Sequence, residues 1–143
     1  MDWRAVGYGI VAGLVVFALQ VVIAFVVPLE RFPGLLTYVI VANQLLSVAT
    51  YAVAGAVAGK LARRAGALHG MLAGFGIAIA GRILGALLNY VRHGIEGVQA
   101  SWAEPATIAV MLFIGVVVAS VAGGIAKRLV LRRPASAPTV RTS

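Results

Sequence analysis

The chain has 143 residues, of which 62% are hydrophobic and only 11% charged, and its mean hydropathy of +1.01 excludes a soluble domain of ordinary composition. It has no cysteine, which excludes disulfides, thiolate metal ligands and cysteine nucleophiles. The net charge of +8 is explained by basic residues at the ends of apolar segments and needs no nucleic acid as a partner.

Four apolar stretches are each long enough to cross a hydrocarbon core, for which roughly 20 helical residues suffice. Lipid offers the backbone no hydrogen-bond partner, and no stretch shows the period-2 alternation of a lipid-facing strand. Each stretch is therefore predicted to be a helix. The predicted spans are residues 5–27, 34–59, 65–91 and 106–126. This pattern predicts an all-α membrane protein of four transmembrane helices in two helical hairpins.

The segments between the spans differ in length and composition. The first span is too long for a signal peptide and precedes three more spans, so we expect it to be retained. The prolines of PLERFPG, residues 28–34, separate spans one and two, and a tight turn at 62–70 separates spans two and three. Residues 92–105 are long enough to hold a short interfacial helix. The transmembrane domain is predicted to end at residue 131, with a disordered basic tail at 132–143.

Most basic residues lie on one side of the predicted bundle. By the positive-inside rule, this side is predicted to be cytoplasmic, with both termini inside and the protein in the cytoplasmic membrane. The same residues are predicted to contact anionic lipid headgroups. They are Lys60, Arg63, Arg64, Lys127, Arg128, Arg132 and Arg133, with Arg4 and Arg141 on the same side.

Small residues recur on one face of the third span. At about 100° per residue they fall within a narrow sector, and small residues let membrane helices approach closely. The third span is therefore predicted to be the buried hub of the bundle. The predicted packing residues are Gly70, Gly74, Ala78, Gly81 and Gly85 on the third span and Gly55 and Gly59 on the second.

Arg82 lies within the apolar run GIAIAGRILGALL, residues 76–88. At 1.5 Å per residue it is about 14 Å below the outer end of its span, farther than its side chain reaches by snorkelling. Gln20, Asn43 and Gln44 lie at similar depths on spans one and two, so the four residues are predicted to form one polar layer. Backbone carbonyls and the amides of Gln20 and Asn43 are the preferred partners of Arg82. Glu104, at the head of span four, and Glu96 in the adjoining loop are its acidic candidates.

Three interpretations of this layer are open. It is a structural hydrogen-bond cluster that sets helix register, an anion or substrate site in a cavity open to the outside, or a contact with another subunit. The sequence does not decide between a structural and a functional role for Arg82.

Catalytic and metal-binding patterns are missing from the sequence. His69 and His93 are predicted to lie on opposite sides of the membrane, so they cannot share a metal, and Asp2 is the only aspartate. We therefore expect no catalytic residue, no metal site, no cofactor and no enzymatic activity.

The run AVAGKLARRAGALHGMLAG, residues 56–74, has a glycine-rich helix end, a basic turn and a G-x-x-H-G start of the next helix. It resembles the central hairpin of small four-span bacterial membrane proteins of uncharacterised function. The resemblance covers about a third of the chain and implies a fold and a cell compartment only. Small multidrug transporters of similar length carry a glutamate in the first span, and this sequence has none there.

The leading functional hypothesis is a non-enzymatic membrane protein that forms homo-oligomers or serves as an accessory subunit of a membrane assembly, in contact with lipids and other helices. The alternative is a small transporter or channel that uses the polar site around Arg82. Pore formation in the manner of a holin is a third hypothesis.

Overall fold

Four helices make up the part of the chain that the computed structural model describes, residues 1–26, 34, 36–101 and 104–132. They are α1 (Trp3–Val26), α2 (Leu36–Leu61), α3 (Gly66–Ser101) and α4 (Pro105–Leu131). These described ranges contain no strand, and each helix is long and apolar enough to cross a membrane. The predicted all-α fold with four membrane-spanning helices is thereby confirmed. Most of the predicted turn at 28–34 and the predicted tail beyond Arg132 lie outside the described residues.

α3 extends beyond the predicted end of the third span, from residue 91 to Ser101. Gly94 interrupts it with φ 64° and ψ −149°, a conformation open mainly to glycine. The chain then bends back sharply, since a Cβ on Gly97 would lie 2.5 Å from the carbonyl oxygen of Asn89. Much of the 92–105 segment is therefore helical, and only residues 102–104 separate α3 from α4.

The two central helices are α2 and α3. Each packs against the other three helices, whereas α1 and α4 scarcely touch. The central position predicted for the third span is thus shared with α2, and α1 and α4 lie at opposite corners of the bundle. α1 and α3 begin, and α2 and α4 end, at one end of the bundle, which carries Arg4, Lys60, Arg63, Arg64 and Arg128 and is here called the basic end.

Small residues bring the helix backbones into contact near the basic end. A Cβ added to Gly59 would overlap the backbone of Gly123, and one added to Gly55 or Gly70 would overlap that of Ala119. Backbone contact of this kind maximises van der Waals packing, which is a main source of helix association in lipid. The predicted packing roles of Gly55, Gly59 and Gly70 correspond to these contacts with α4.

Most side chains of the core are small, and Ile77, at 2% exposure, and Val6, at 4%, are its larger members. Ala54, Ala58, Ala73 and Ala119 have 0% exposure. Gly74 packs on the side chain of Ala119, and Ala78 is also buried. Large apolar side chains such as Val15 and Phe113 point outward, as expected for a surface whose solvent is lipid.

Two polar contacts join helix ends at the basic end. The Lys127 Nζ donates a hydrogen bond to the Ala62 carbonyl at 2.5 Å, which ties α4 to the end of α2. The buried His69 ring joins α3 to α1: its Nδ1 faces the Ala65 carbonyl at 3.0 Å, and its Nε2 accepts from the Asp2 N–H at 3.0 Å. This pair of contacts requires the Nδ1–H tautomer, in which Nδ1 donates.

Gly59→Ala is expected to destabilise the bundle, because the new methyl group would overlap the Gly123 backbone; overpacking typically costs about 1–3 kcal/mol. Gly7→Ala is the matched control, since a Cβ on this helical glycine meets no atom within 4 Å. Unfolding in one detergent should give a lower midpoint for Gly59→Ala only. Equal midpoints for Gly59→Ala and the unchanged protein would contradict the contact between α2 and α4.

Candidate functional site

A cavity of about 460 Å³ lies between the four helices, on the side of the bundle away from the basic end. Every helix contributes to its walls: Phe17 from α1, Val48 from α2, Ile77 from α3 and Met111 from α4 are among the apolar residues that line it. Its polar lining residues are Gln20, Asn43, Gln44, Ser47, Thr50, Tyr51, Arg82 and Asn89.

The residues predicted to form a polar layer surround this cavity. At 1.5 Å per residue, Arg82 lies about 24 Å from the first residue of α3. By the same measure, Gln20 lies about 26 Å from the start of α1 and Asn43 about 27 Å from the end of α2. Since these three helix ends are all at the basic end, the structure places the side chains at a common depth.

Hydrogen bonds connect the α1 and α2 walls. The Gln20 Nε2 donates to the Asn43 Oδ1 at 2.7 Å and to the Ser47 Oγ at 3.0 Å. The Ser47 hydroxyl donates in turn to the Asn43 carbonyl at 3.0 Å. The Thr50 hydroxyl donates to the Leu46 carbonyl within α2 at 2.9 Å. These contacts hold the amide groups in fixed positions on one side of the cavity.

Arg82 is half-buried in the α3 wall. Asn89 lies two helical turns after it on the same face, and Tyr51 contributes a hydroxyl from α2. Asn89 and Tyr51 are not among the site residues predicted from the sequence. The spacing of Asn89 from Arg82 is a signal that could have found it, because residues seven apart share one face of a helix.

Gln44 occupies a different position from Gln20. The side chains of Gln44 and Asn43 line the cavity and are exposed, whereas that of Gln20 is half-buried. The predicted layer therefore contains side chains of different exposure. Exposed polar side chains within a membrane span are uncommon unless water or another helix contacts them.

Gly81 and Gly85 make room for the cavity rather than packing against a helix. A Cβ on Gly85 would meet no atom within 4 Å, and one on Gly81 would meet only the Phe17 ring, at 3.8 Å. In the wall between α2 and α4, the Tyr51 ring lies against Gly115. The row of small residues on α3 thus has two roles: its first half, Gly70 and Gly74, packs on α4, and its second half lines the cavity.

The chemistry of the lining residues favours an anion over a metal. Among the described residues that line the cavity, none is a carboxylate, an imidazole or a thiol, the donors that divalent metals often use. They offer amide N–H₂ groups, hydroxyls and a guanidinium with five N–H donors. A guanidinium recognises carboxylate and phosphate oxygens in pairs.

The described residues that were predicted to contact lipid headgroups all lie at the basic end, and all but Lys127 are exposed. Lys60, Arg63, Arg64, Arg128 and Arg132 are exposed there. Lys127 is half-buried, and its ammonium group bonds to the Ala62 carbonyl instead. Arg133 lies outside the described residues.

Comparison with known proteins gives no relative: no protein-family profile, no curated protein and no solved structure matches the chain. The resemblance of residues 56–74 to small four-span bacterial membrane proteins therefore stays a prediction.

Proposed function

We propose that this multi-pass membrane protein binds a small polar ligand with an anionic group in the cavity around Arg82, as a small transporter or channel does. The observation that carries the proposal is the cavity itself. Its volume of about 460 Å³ falls within the range of about 300–1,000 Å³ of small-molecule sites. Its walls combine apolar surface with a few polar groups from several helices, as such sites usually do.

The position of Arg82 supports a ligand of negative charge. An ionisable side chain deep in a membrane span is costly, and such residues mark ion or substrate pathways. The amides of Gln20 and Asn43 face the same cavity, held by the hydrogen bonds that join α1 to α2. They add neutral hydrogen-bonding groups that orient a ligand without cancelling the charge of the guanidinium.

We also propose that the protein is not an enzyme. Catalysis of acyl or proton transfer needs a base near its nucleophile. The described lining residues supply serine, threonine and tyrosine side chains, and none of them is a carboxylate or an imidazole that could serve as that base.

Small anions are expected to raise the thermal stability of the purified protein. The apparent Kd obtained from this stabilisation should rise by at least about tenfold in Arg82→Gln, because a charge-assisted pair of hydrogen bonds is lost. The probes are acetate, succinate, glutamate and inorganic phosphate at constant ionic strength. Arg82→Lys keeps the charge but not the planar fork, so it should bind with intermediate strength.

Two further variants make this measurement specific. Arg128→Gln removes an exposed cation far from the cavity and should leave anion binding unchanged. Gly85→Leu keeps Arg82 but fills space that is empty beside Gly85, so it should abolish binding without unfolding the protein. Undiminished binding by Arg82→Gln, or no effect of any anion on the unchanged protein, would contradict the proposed site.

A second candidate function is that of a subunit in a larger membrane assembly, including one made of copies of this chain. The exposed Asn43 and Gln44 side chains favour it. Polar side chains exposed within a span gain hydrogen bonds when another helix covers them, at roughly 0.6–2 kcal/mol each.

If Gln44 lies in such an interface, the protein in nanodiscs has a mass above one protomer, and Gln44→Leu lowers the oligomeric fraction several-fold. Gln99→Leu is the matched control, because Gln99 is an exposed glutamine beyond the Gly94 bend. Native mass spectrometry gives the fractions. A protomer-sized mass for the unchanged protein at all concentrations argues against self-assembly.

We also propose that the basic end faces the cytoplasm, since arginine and lysine are retained on that side during membrane insertion. The chain has no cysteine, so single cysteines can be placed at Arg64 and at Gln99. In intact cells that express the protein in the cytoplasmic membrane, a membrane-impermeant thiol reagent should label position 99 and not position 64. Labelling of position 64 alone would reverse the orientation.

A further inference from the structure

A second concavity, of about 810 Å³, lies at the basic end between the start of α1 and the turn that joins α2 to α3. Three arginines line it: Arg4 comes from α1, and Arg63 and Arg64 come from the turn. Arg4 is far in the sequence from Arg63 and Arg64, so the three arginines come together only when the bundle folds. The concavity lined by these arginines, His69 and Trp3 is called here the basic basin.

Hydrogen bonds of a buried side chain fix the walls of the basic basin relative to each other. His69, which is 5% exposed, forms part of its wall. The His69 ring accepts from the Asp2 N–H and contacts the Ala65 carbonyl, both at 3.0 Å. It thereby fixes the segment that carries Arg4 against the turn that carries Arg63 and Arg64.

The charge of the basin is positive. Asp2 is the one acidic residue among those that line it. The Asp2 Oδ1 lies 3.3 Å from the Ala5 N–H, from which it accepts a hydrogen bond as the cap of α1. Three guanidiniums therefore surround the concavity with one carboxylate that is already engaged. Arginines arranged in this way suit phosphate oxygens, to which each can donate two hydrogen bonds.

Apolar side chains beside the arginines point to an amphiphile. Trp3 is 67% exposed and Leu68 45% exposed, and both line the basin. The basin also lies where two spans begin, α1 at Trp3 and α3 at Gly66, which is the level of the lipid headgroups. A soluble phosphate compound has no apolar part to contact these side chains, whereas a phospholipid would cover them with its glycerol backbone and acyl chains.

We propose that the basic basin is a binding site for the phosphate group of one anionic phospholipid, whose acyl chains extend along Trp3 and Leu68. This proposal is independent of the cavity around Arg82. It differs from a general attraction of lysine and arginine to the membrane surface, because it assigns the lipid to three arginines and excludes the other cations at the same end.

The test is retention of lipid by the purified full chain, measured by native mass spectrometry from mixed micelles with equal amounts of dioleoylphosphatidylglycerol and dioleoylphosphatidylcholine. One phosphatidylglycerol molecule per protomer should be retained in preference. The combined variant Arg4→Gln, Arg63→Gln, Arg64→Gln should weaken this binding by at least about tenfold, since each cation near an anionic lipid contributes to binding.

The matched control also removes three exposed cations at the basic end, none of which lines the basin: Lys60→Gln, Arg128→Gln, Arg132→Gln. It should retain the lipid. An equal loss of bound phosphatidylglycerol in the two combined variants would show general surface attraction and overturn the proposal. Equal retention of phosphatidylglycerol and phosphatidylcholine by the unchanged protein would also overturn it. If the basin variant unfolds, Arg64→Gln alone gives the same comparison against Arg128→Gln.

Inorganic phosphate separates the two sources of the phosphate group. Under the proposal, millimolar phosphate at constant ionic strength does not displace the retained phosphatidylglycerol. Saturable displacement, together with phosphate binding by protein freed of lipid, would instead identify a site for a soluble phosphate and overturn the assignment to lipid.

Discussion

Direct contact between helix backbones near the basic end is the constraint on which the rest of the structure depends. Lipid is as apolar as leucine, so burial of large side chains gives little reason for these helices to associate. Backbones that approach as closely as those at Gly59 and Gly123 gain dispersion contacts over their whole surface. This explains why Ala54, Ala58, Ala73 and Ala119 have 0% exposure and why most of the large apolar side chains are exposed.

The cavity is a consequence of the same arrangement. α2 and α4 meet where both carry small residues, such as Gly59 and Gly123. Farther from the basic end, Gly81 and Gly85 remain small but have no backbone opposite them within 4 Å, so space is left between the helices. The polar side chains Gln20, Asn43 and Arg82 border that space, which has room for water or a ligand.

Much of the fold could be predicted from the sequence, because hydrophobic length and the lack of hydrogen-bond partners in lipid leave few alternatives. The four spans follow from these two constraints. The meeting of Gln20 with Asn43 could be predicted from depth alone, since 1.5 Å per residue places both at one level. The contacts of Gly55 and Gly59 follow from the need for small residues where helices touch.

Other features depend on tertiary geometry that no local pattern contains. Gly85 is as small as Gly70, and only the divergence of the helices decides that Gly70 packs while Gly85 lines a cavity. The position of Lys127 in the sequence predicts a contact with lipid headgroups, but its ammonium group bonds to the Ala62 carbonyl. The sharp bend follows from the backbone conformation of Gly94, and a glycine in the sequence does not by itself indicate such a bend.

The bend at Gly94 determines how α3 is tethered to α4. The bend carries the chain back on itself, and the tether from Ser101 to Pro105 is then very short. At about 3.5 Å per residue it extends to about 14 Å at most. The covalent connection therefore limits how far the start of α4 can move from the end of α3. The connection from Val26 to Leu36 is longer. The covalent chain therefore restrains the end of α1 relative to α2 less than it restrains the end of α3 relative to α4.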